Sequence, residues 1–135
     1  MKKFKISSLL LICLIVLTLC SCSNTNNAEI DYGKSEIYSQ DDMEAAVNLI
    51  KKDFSEMKGC KLYSLTYMGD EESKDNLKYC NSLDKGNFDE CIVFKSHFRS
   101  PLIGGGAWEK NEEYYWNWFL AREKDGEWVV LTKGV

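Results

Sequence analysis

The hydrophobic pattern of the chain begins with an uninterrupted apolar run. Residues 9–19 read LLLICLIVLTL and follow the lysine-rich start at residues 1–5. A membrane-spanning helix needs about 20 apolar residues, so this run is too short to be read first as a permanent anchor. It has the length and flanking charge of the apolar core of an export signal. The pattern therefore predicts a signal peptide.

A second pattern, with apolar residues at steps of three and four, follows Ser39. Such spacing is typical of an amphipathic helix that buries one face. Ser39 and Asp42 have the spacing of a capping box, which begins a helix, and Gly59 supplies a residue that ends one. We expect a helix from about Gln40 to Lys58. Its apolar stripe consists of Met43, Ala46, Val47, Ile50, Phe54 and Met57.

After Gly59 the hydrophobic period changes from that of a helix to that of a strand. Asp125-Gly126 has the composition of a hairpin turn, and residues 100–111 form a longer loop that contains the only proline. Residues 70–89 are mostly polar and predict a connection with one short helix. Four segments are rich in β-branched and aromatic residues: Cys60–Met68, Glu90–Phe98, Glu113–Glu123 and Glu127–Lys133.

These patterns predict an α+β fold in which one long N-terminal helix packs on a curved four-stranded antiparallel sheet. A chain of 135 residues with 44% hydrophobic content supports one core and is too short for two. The domain is expected at residues 39–135. Residues 23–27 (SNTNN) are small and polar, which is typical of a spacer. We therefore expect a signal peptide at residues 1–21 and a flexible tether at residues 22–38.

The end of the apolar run, Leu19-Cys20-Ser21-Cys22, resembles the lipobox of bacterial lipoproteins. The resemblance implies cleavage after Ser21 and a diacylglyceryl group on the thiol of Cys22. Cys20 does not fit, because bulky Leu19 precedes it. Two acyl chains give stable anchoring, so the expected location is the outer face of the cytoplasmic membrane. An ordinary cleaved signal and an uncleaved anchor helix are the alternatives.

The charge of the chain narrows the choice of partners. The formal net charge is −4, and residues 1–5 contribute three lysines, so the part after the signal carries −7. A negative domain gains nothing from counterion release on nucleic acid and is repelled by anionic lipid headgroups. We therefore expect no nucleic-acid partner, and we expect contact with the membrane through the lipid anchor.

Several short stretches of the predicted domain carry a family resemblance. They are Lys58-Gly59-Cys60, residues 62–67, the Ser-X-Phe at residues 96–98, the glycine-rich loop, Tyr115-Trp116-Asn117-Trp118 and Leu120-Ala121-Arg122. The chain resembles small Gram-positive lipoproteins with an uncharacterised domain of the nuclear-transport-factor-like, or cystatin-like, superfamily. The resemblance implies a long helix against a curved antiparallel sheet, and it carries over no established activity. The ending at residues 131–135 (LTKGV) departs from the aromatic ending of such proteins.

The thiols and the single histidine are the candidates for chemistry. Cys91 and His97 are separated by about 20 Å of strand, which excludes a nucleophile–base dyad on this strand assignment. No pair among Cys60, Cys80 and Cys91 has the close spacing of zinc ligands, and we expect no metal or other cofactor. Export to an oxidising side allows a disulfide between Cys80 and Cys91, and buried free thiols are the alternative.

The aromatic strand presents two different faces. Alternation places Tyr114, Trp116, Trp118 and Leu120 on one face and Tyr115, Asn117, Phe119 and Ala121 on the other. We expect the helix to cover the first face. The second face requires cover from a ligand, a partner protein or loops of the domain. Its candidate binding residues are Tyr115, Phe119 and His97.

These observations favour a lipid-anchored, non-enzymatic binding or accessory domain that recognises a small ligand or an envelope protein. No catalytic residue is assigned. The alternative is a small-molecule enzyme of the nuclear-transport-factor-like superfamily. In that case His97 would act as a general base in a pocket of the sheet.

Overall fold

The computed structural model describes residues 24–83, 86–103 and 108–135. The predicted signal peptide and Cys22 lie outside these ranges. The predicted α+β class is confirmed. The elements in chain order are β1 (Glu29–Asp31), α1 (Gln40–Phe54), β2 (Lys61–Tyr67), α2 (Asp70–Asp75), α3 (Leu77–Leu83), β3 (Glu90–Arg99), β4 (Glu113–Arg122) and β5 (Val129–Gly134).

The sheet contains five strands in the order β1-β2-β3-β4-β5. Strands β2 to β5 are antiparallel to their neighbours, whereas β1 runs parallel to β2 and pairs Ile30 with Leu65. The prediction of a four-stranded antiparallel sheet is therefore wrong, because the sheet is mixed and has a fifth strand. Strand β1 has only three residues, too few for a period-two pattern to be visible in the sequence.

Residues 24–38, which we expected to belong to a flexible tether, pack against the domain. The Leu62 amide donates to the Asn24 carbonyl at 2.9 Å, and Thr25 is buried. Tyr38 is also buried, and its hydroxyl donates to the Cys91 carbonyl. Backbone pairing and a few anchoring side chains hold this segment, so its polar composition did not predict its structure.

Helix α1 begins as predicted and ends early. The Asp42 amide donates to Ser39 Oγ at 3.1 Å and the Ser39 amide donates to Asp42 Oδ2 at 3.0 Å, which forms the capping box. The helix has 15 residues and ends at Phe54, so the long helix predicted to reach Lys58 is wrong. The chain then turns towards β2 at Gly59, whose φ is +80° and where a Cβ would lie 3.0 Å from Pro101.

Apolar side chains form one cluster on each face of the sheet. On the first face, α1 packs on β2, β3 and β4 around Phe94, Phe98 and Trp118. On the second face, α2 and α3 contact β3, and α3 also contacts β4. The connection at residues 70–89 thus contains two short helices where one was expected. The smaller cluster beneath them consists of Cys80, Cys91, Val93 and Ala121, with Phe119 and Leu131 packed against it.

Arg122 joins helix α1 to the sheet through charged side chains. Its guanidinium donates to Asp42 Oδ1 at 2.9 Å and also pairs with Glu90. It lies 4.2 Å from the centre of the Trp128 ring, whose Nε1 donates to the Asp42 carbonyl. The hydrogen bond from Arg122 is the main reason why the pKa of Asp42 is lowered. This network fixes the first turn of the helix over the end of β4.

Candidate functional site

The second face of the sheet is divided into a covered half and an exposed half. Helices α2 and α3 lie over the half that contains Cys91, Val93 and Ala121. Farther along the same face, Lys95 pairs with Asn117 and His97 pairs with Tyr115. We define the open half-face by its five side chains, Tyr63, Lys95, His97, Tyr115 and Asn117.

Three neighbouring rings, of which two are stacked, form the centre of the open half-face. His97 of β3 stacks on Tyr115 of β4 with ring centroids 4.5 Å apart and planes at 6°. On the other side, Tyr63 of β2 lies 5.2 Å from the His97 ring at a tilt of 56°. Tyr115 is 55% exposed, so one side of its ring is open to solvent. The rings therefore present an apolar, partly exposed platform.

A β-bulge brings Tyr63 to this platform. Leu62 pairs with Phe98 and Ser64 pairs with His97, so Tyr63 is an extra residue that opposes no partner on β3. Leu62 and Leu65 are three residues apart and would point to opposite faces of a regular strand, but both are buried in the core. The extra residue of the bulge puts them on the same face. Sequence alternation alone did not identify Tyr63 as a candidate for this reason.

Charged side chains border the platform at the end of β3. Glu113 Oε1 lies 3.3 Å from His97 Nε2 and 3.5 Å from Arg99 Nη2. The contact with His97 does not have the geometry of a hydrogen bond, since Nε2 is left without a partner. Arg99 Nε donates to the Tyr63 hydroxyl at 2.9 Å, and this hydrogen bond is the main cause of the raised pKa of Arg99. The border thus contains both signs of charge.

Two buried polar atoms on the open half-face lack hydrogen bonds. They are His97 Nε2 and Asn117 Oδ1, and they are the buried side-chain polar atoms without partners in the described ranges. Buried polar groups in folded proteins nearly always have a partner, and leaving one unpaired costs about 1 to 3 kcal/mol. Both atoms lie on the same face as the exposed ring of Tyr115. This face therefore has hydrogen-bonding capacity that the described part of the chain does not use.

Among the three predicted binding residues, His97 and Tyr115 are in contact and Phe119 is separate. Phe119 lies farther along β4 and packs edge-on against Tyr79 of α3, with centroids 5.2 Å apart. It belongs to the cluster beneath the short helices. Sequence alternation assigned Phe119 to the correct face of the strand, but it did not predict that α3 covers this part.

The three cysteines of the described domain lie in two different places. Cys60 is buried in the larger cluster, whereas Cys80 and Cys91 share the smaller one on the opposite face. The sulfurs of Cys80 and Cys91 are 3.0 Å apart. The hydrogen bond between them lowers the pKa of Cys80 and raises the pKa of Cys91. Across residues 24–83, 86–103 and 108–135, no three His, Cys, Asp or Glu side chains are grouped as metal ligands.

Two open grooves lie beside helix α1 and are separate from the platform. A groove of about 580 Å³ runs between α1 and β5 and is lined by Leu49, Asp53, Val130 and Lys133 among others. A second, of about 450 Å³, adjoins the first at Leu49 and Lys52 and extends towards Trp128. Neither groove is lined by His97 or Tyr115. They provide no enclosed space for a reaction at His97.

Comparisons with known proteins identify no relative of this chain. A scan against models of protein families finds no match, and searches of curated proteins and solved structures find no chain with significant similarity. The resemblance to the nuclear-transport-factor-like superfamily therefore remains a prediction. Within the described ranges, no helix combines the length and apolar character that crossing a membrane requires.

Proposed function

We propose that this protein is a lipid-anchored extracytoplasmic lipoprotein whose domain is a non-enzymatic binding module. The lysine-rich start, the short apolar run and Leu19-Cys20-Ser21-Cys22 support the anchoring part of the proposal. In it, Cys22 carries the lipid and the domain faces outwards. The binding partner is a small ligand or an envelope protein, and it is recognised at the open half-face.

One observation carries the binding proposal, namely the unused hydrogen-bonding capacity beside an exposed aromatic ring. Asn117 Oδ1 is an acceptor without a donor, and His97 Nε2 also lacks a partner. Tyr115, 55% exposed, provides apolar contact area next to them. A partner with a flat apolar group would contact the Tyr115 ring, and its hydrogen-bond donor would reach the buried Asn117 Oδ1 after neighbouring side chains move aside. Exposed aromatic side chains are common anchors of binding surfaces.

The charged border gives such a partner an orientation. Lys95 is exposed on the platform, and Glu113 lies with Arg99 at its end. Charges at a rim contribute more to orientation and association rate than to affinity. Truncation of Tyr115 should therefore cause the largest loss of affinity for the partner, and truncation of the border residues should cause smaller losses.

A specific contact favours the enzymatic alternative as the second candidate. His97 and Glu113 approach to 3.3 Å, and a histidine beside a carboxylate is a common general base. A reacting group also needs a site that excludes water and holds its substrate. His97 lies on an open sheet face between two tyrosine rings, which suits contact with a bound partner better than proton transfer. Binding is therefore the preferred function.

The binding proposal is tested with a fragment library screened by NMR against the detergent-solubilised full-length protein. Fragments that bind at the platform should lose about 30-fold in affinity in the Tyr115→Ala variant, as truncated aromatic anchors do. Tyr79→Ala is the matched control, since Tyr79 is 44% exposed but lies on α3, over the covered half of the same face. Fragments that bind both variants as well as the wild type would contradict the proposal.

A second variant tests the role of the unpaired amide. Asn117→Val removes the buried acceptor and leaves the exposed ring of Tyr115 in place. The unbound protein should keep or gain stability, by about 1 kcal/mol, because an unpaired buried oxygen is lost. Binding of platform fragments should weaken. A variant that is less stable and binds normally would assign Asn117 a structural role.

A further inference from the structure

We propose that Cys80 and Cys91 form a disulfide bond that fastens helix α3 to the sheet. The sulfurs are 3.0 Å apart, and a disulfide bond requires that they approach by about 1 Å more. The two residues are 11 apart in sequence, and both are buried, with exposures of 0% and 2%. Cys60 lies on the opposite face of the sheet, so the pairing is unambiguous among the cysteines of the described domain.

Neighbouring hydrogen bonds hold both cysteines in place without any contribution from the sulfurs. Asn81, next to Cys80, accepts from the Phe88 amide at 2.7 Å and donates to the Phe88 carbonyl at 3.1 Å. The Cys91 carbonyl accepts from the Tyr38 hydroxyl. These contacts join the end of α3 to the segment that leads into β3. The two thiols therefore face each other because of the fold, which reduces the cost of closing the bond.

Helix α3 is short, so a covalent bond to β3 would add to the Asn81 hydrogen bonds and to the packing of Tyr79 on Phe119. It has seven residues, far fewer than an isolated helix needs for stability. Its exposed side chains include Tyr79 and Leu83. The helix covers Phe119, so a bond at Cys80 would also keep this half of the second face closed.

The bond forms by exchange with a small disulfide such as oxidised glutathione. When α3 opens, the Cys80 thiolate attacks one sulfur of glutathione disulfide, forms a mixed disulfide and releases one glutathione thiolate. Cys91 then loses its proton and attacks the Cys80 sulfur, and the second glutathione leaves. The protein is oxidised by two electrons and two glutathiones are formed.

The experiment uses the full-length protein, reduced and then incubated with oxidised glutathione. After free thiols are alkylated, trypsin should release residues 79–85 and 86–95 as one linked peptide, about 2 Da lighter than the two reduced peptides together. The oxidised protein should melt about 5 to 15 °C above its reduced form. Cys60→Ser is the matched control and should still give the linked peptide and the rise in melting temperature on oxidation. Cys80→Ala and Cys91→Ala should give neither.

Two results would overturn the proposal. One is that Cys80 and Cys91 are both fully alkylated, or carry only glutathione, after oxidation. The other is a linked peptide that contains Cys60.

The state of the pair in cells rests on the proposed extracytoplasmic location, and a separate sample tests it. Free thiols are alkylated in intact cells before lysis, and tryptic digestion of the purified protein should then yield the linked peptide. If the Cys80–Cys91 peptide forms in the purified protein treated with oxidised glutathione but is absent from cells, the disulfide proposal stands and the extracytoplasmic location is contradicted.

Discussion

Truncating Phe119 to alanine tests whether helix α3 covers its half of the second sheet face. Phe119 is partly buried, packs against the cluster around Cys91 and Val93, and contacts the Tyr79 ring at 5.2 Å between centroids. If this packing is correct, the variant loses stability. If Phe119 were a free recognition surface, the variant would keep its stability and lose a partner.

The magnitude follows from the environment of the ring. A fully buried phenylalanine costs about 3 to 5 kcal/mol when truncated to alanine. Phe119 retains some exposure, which lowers the expected cost to about 2 to 3 kcal/mol, including about 1 kcal/mol from the edge-on contact with Tyr79. In a domain of this size that corresponds to a fall of about 10 °C in melting temperature.

The assay is a thermal melt followed by near-ultraviolet circular dichroism, with Tyr115→Ala as the exposed comparison and Trp118→Ala as the buried one. Trp118 is fully buried, so its truncation should cost most. Tyr115→Ala should cost less than about 1 kcal/mol, because the ring is largely exposed. A Phe119→Ala melting temperature within about 2 °C of the wild type would refute the packing described for α3.

Two further predictions concern the charge network and the anchor. The pKa of Asp42 is lowered mainly by its hydrogen bond with Arg122. The pair therefore stabilises the fold fully at a pH above the pKa of Asp42 in the unfolded chain, about 3.9. This stabilisation is lost as the pH falls through the lower pKa of Asp42 in the folded protein. Urea unfolding of wild type and Asp42→Asn should therefore give a difference in stability that is largest near neutral pH and shrinks as pH falls below about 4; a constant difference would count against this pair. Replacing Cys22 by alanine should release or mislocalise the protein without changing its melting temperature; alkyne fatty-acid labelling that persists in this variant would contradict the assignment of the lipid to Cys22.

The elements that sequence reasoning predicted well are those whose own side chains carry the signal. The stripe of helix α1 and its Ser39 cap are local patterns, and so are the apolar alternations of strands β2 to β5. Alternation also assigned Trp118 to the core face and Tyr115 to the other. These features need no knowledge of distant partners, so they were readable from the pattern alone.

The features that sequence reasoning missed depend on contacts with distant segments. Strand β1 exists because Ile30 pairs with Leu65, and residues 24–38 are held by backbone bonds that composition does not reveal. The bulge that brings Tyr63 beside His97 breaks the alternation on which the strand assignment relied. Cover of Phe119 depends on where a seven-residue helix docks. The candidate site was therefore predicted in part, through His97 and Tyr115, and its boundary was not.

The most direct test of the binding proposal places a photo-crosslinking benzoylphenylalanine at position 115 of the full-length protein in its native cells. After irradiation and purification, intact mass spectrometry should find a covalent adduct of defined mass. The same substitution at position 79, a tyrosine of similar exposure over the covered half of the face, should give none or far less. Absence of an adduct at position 115, or equal yield of the same adduct at both positions, would contradict a binding role for the open half-face.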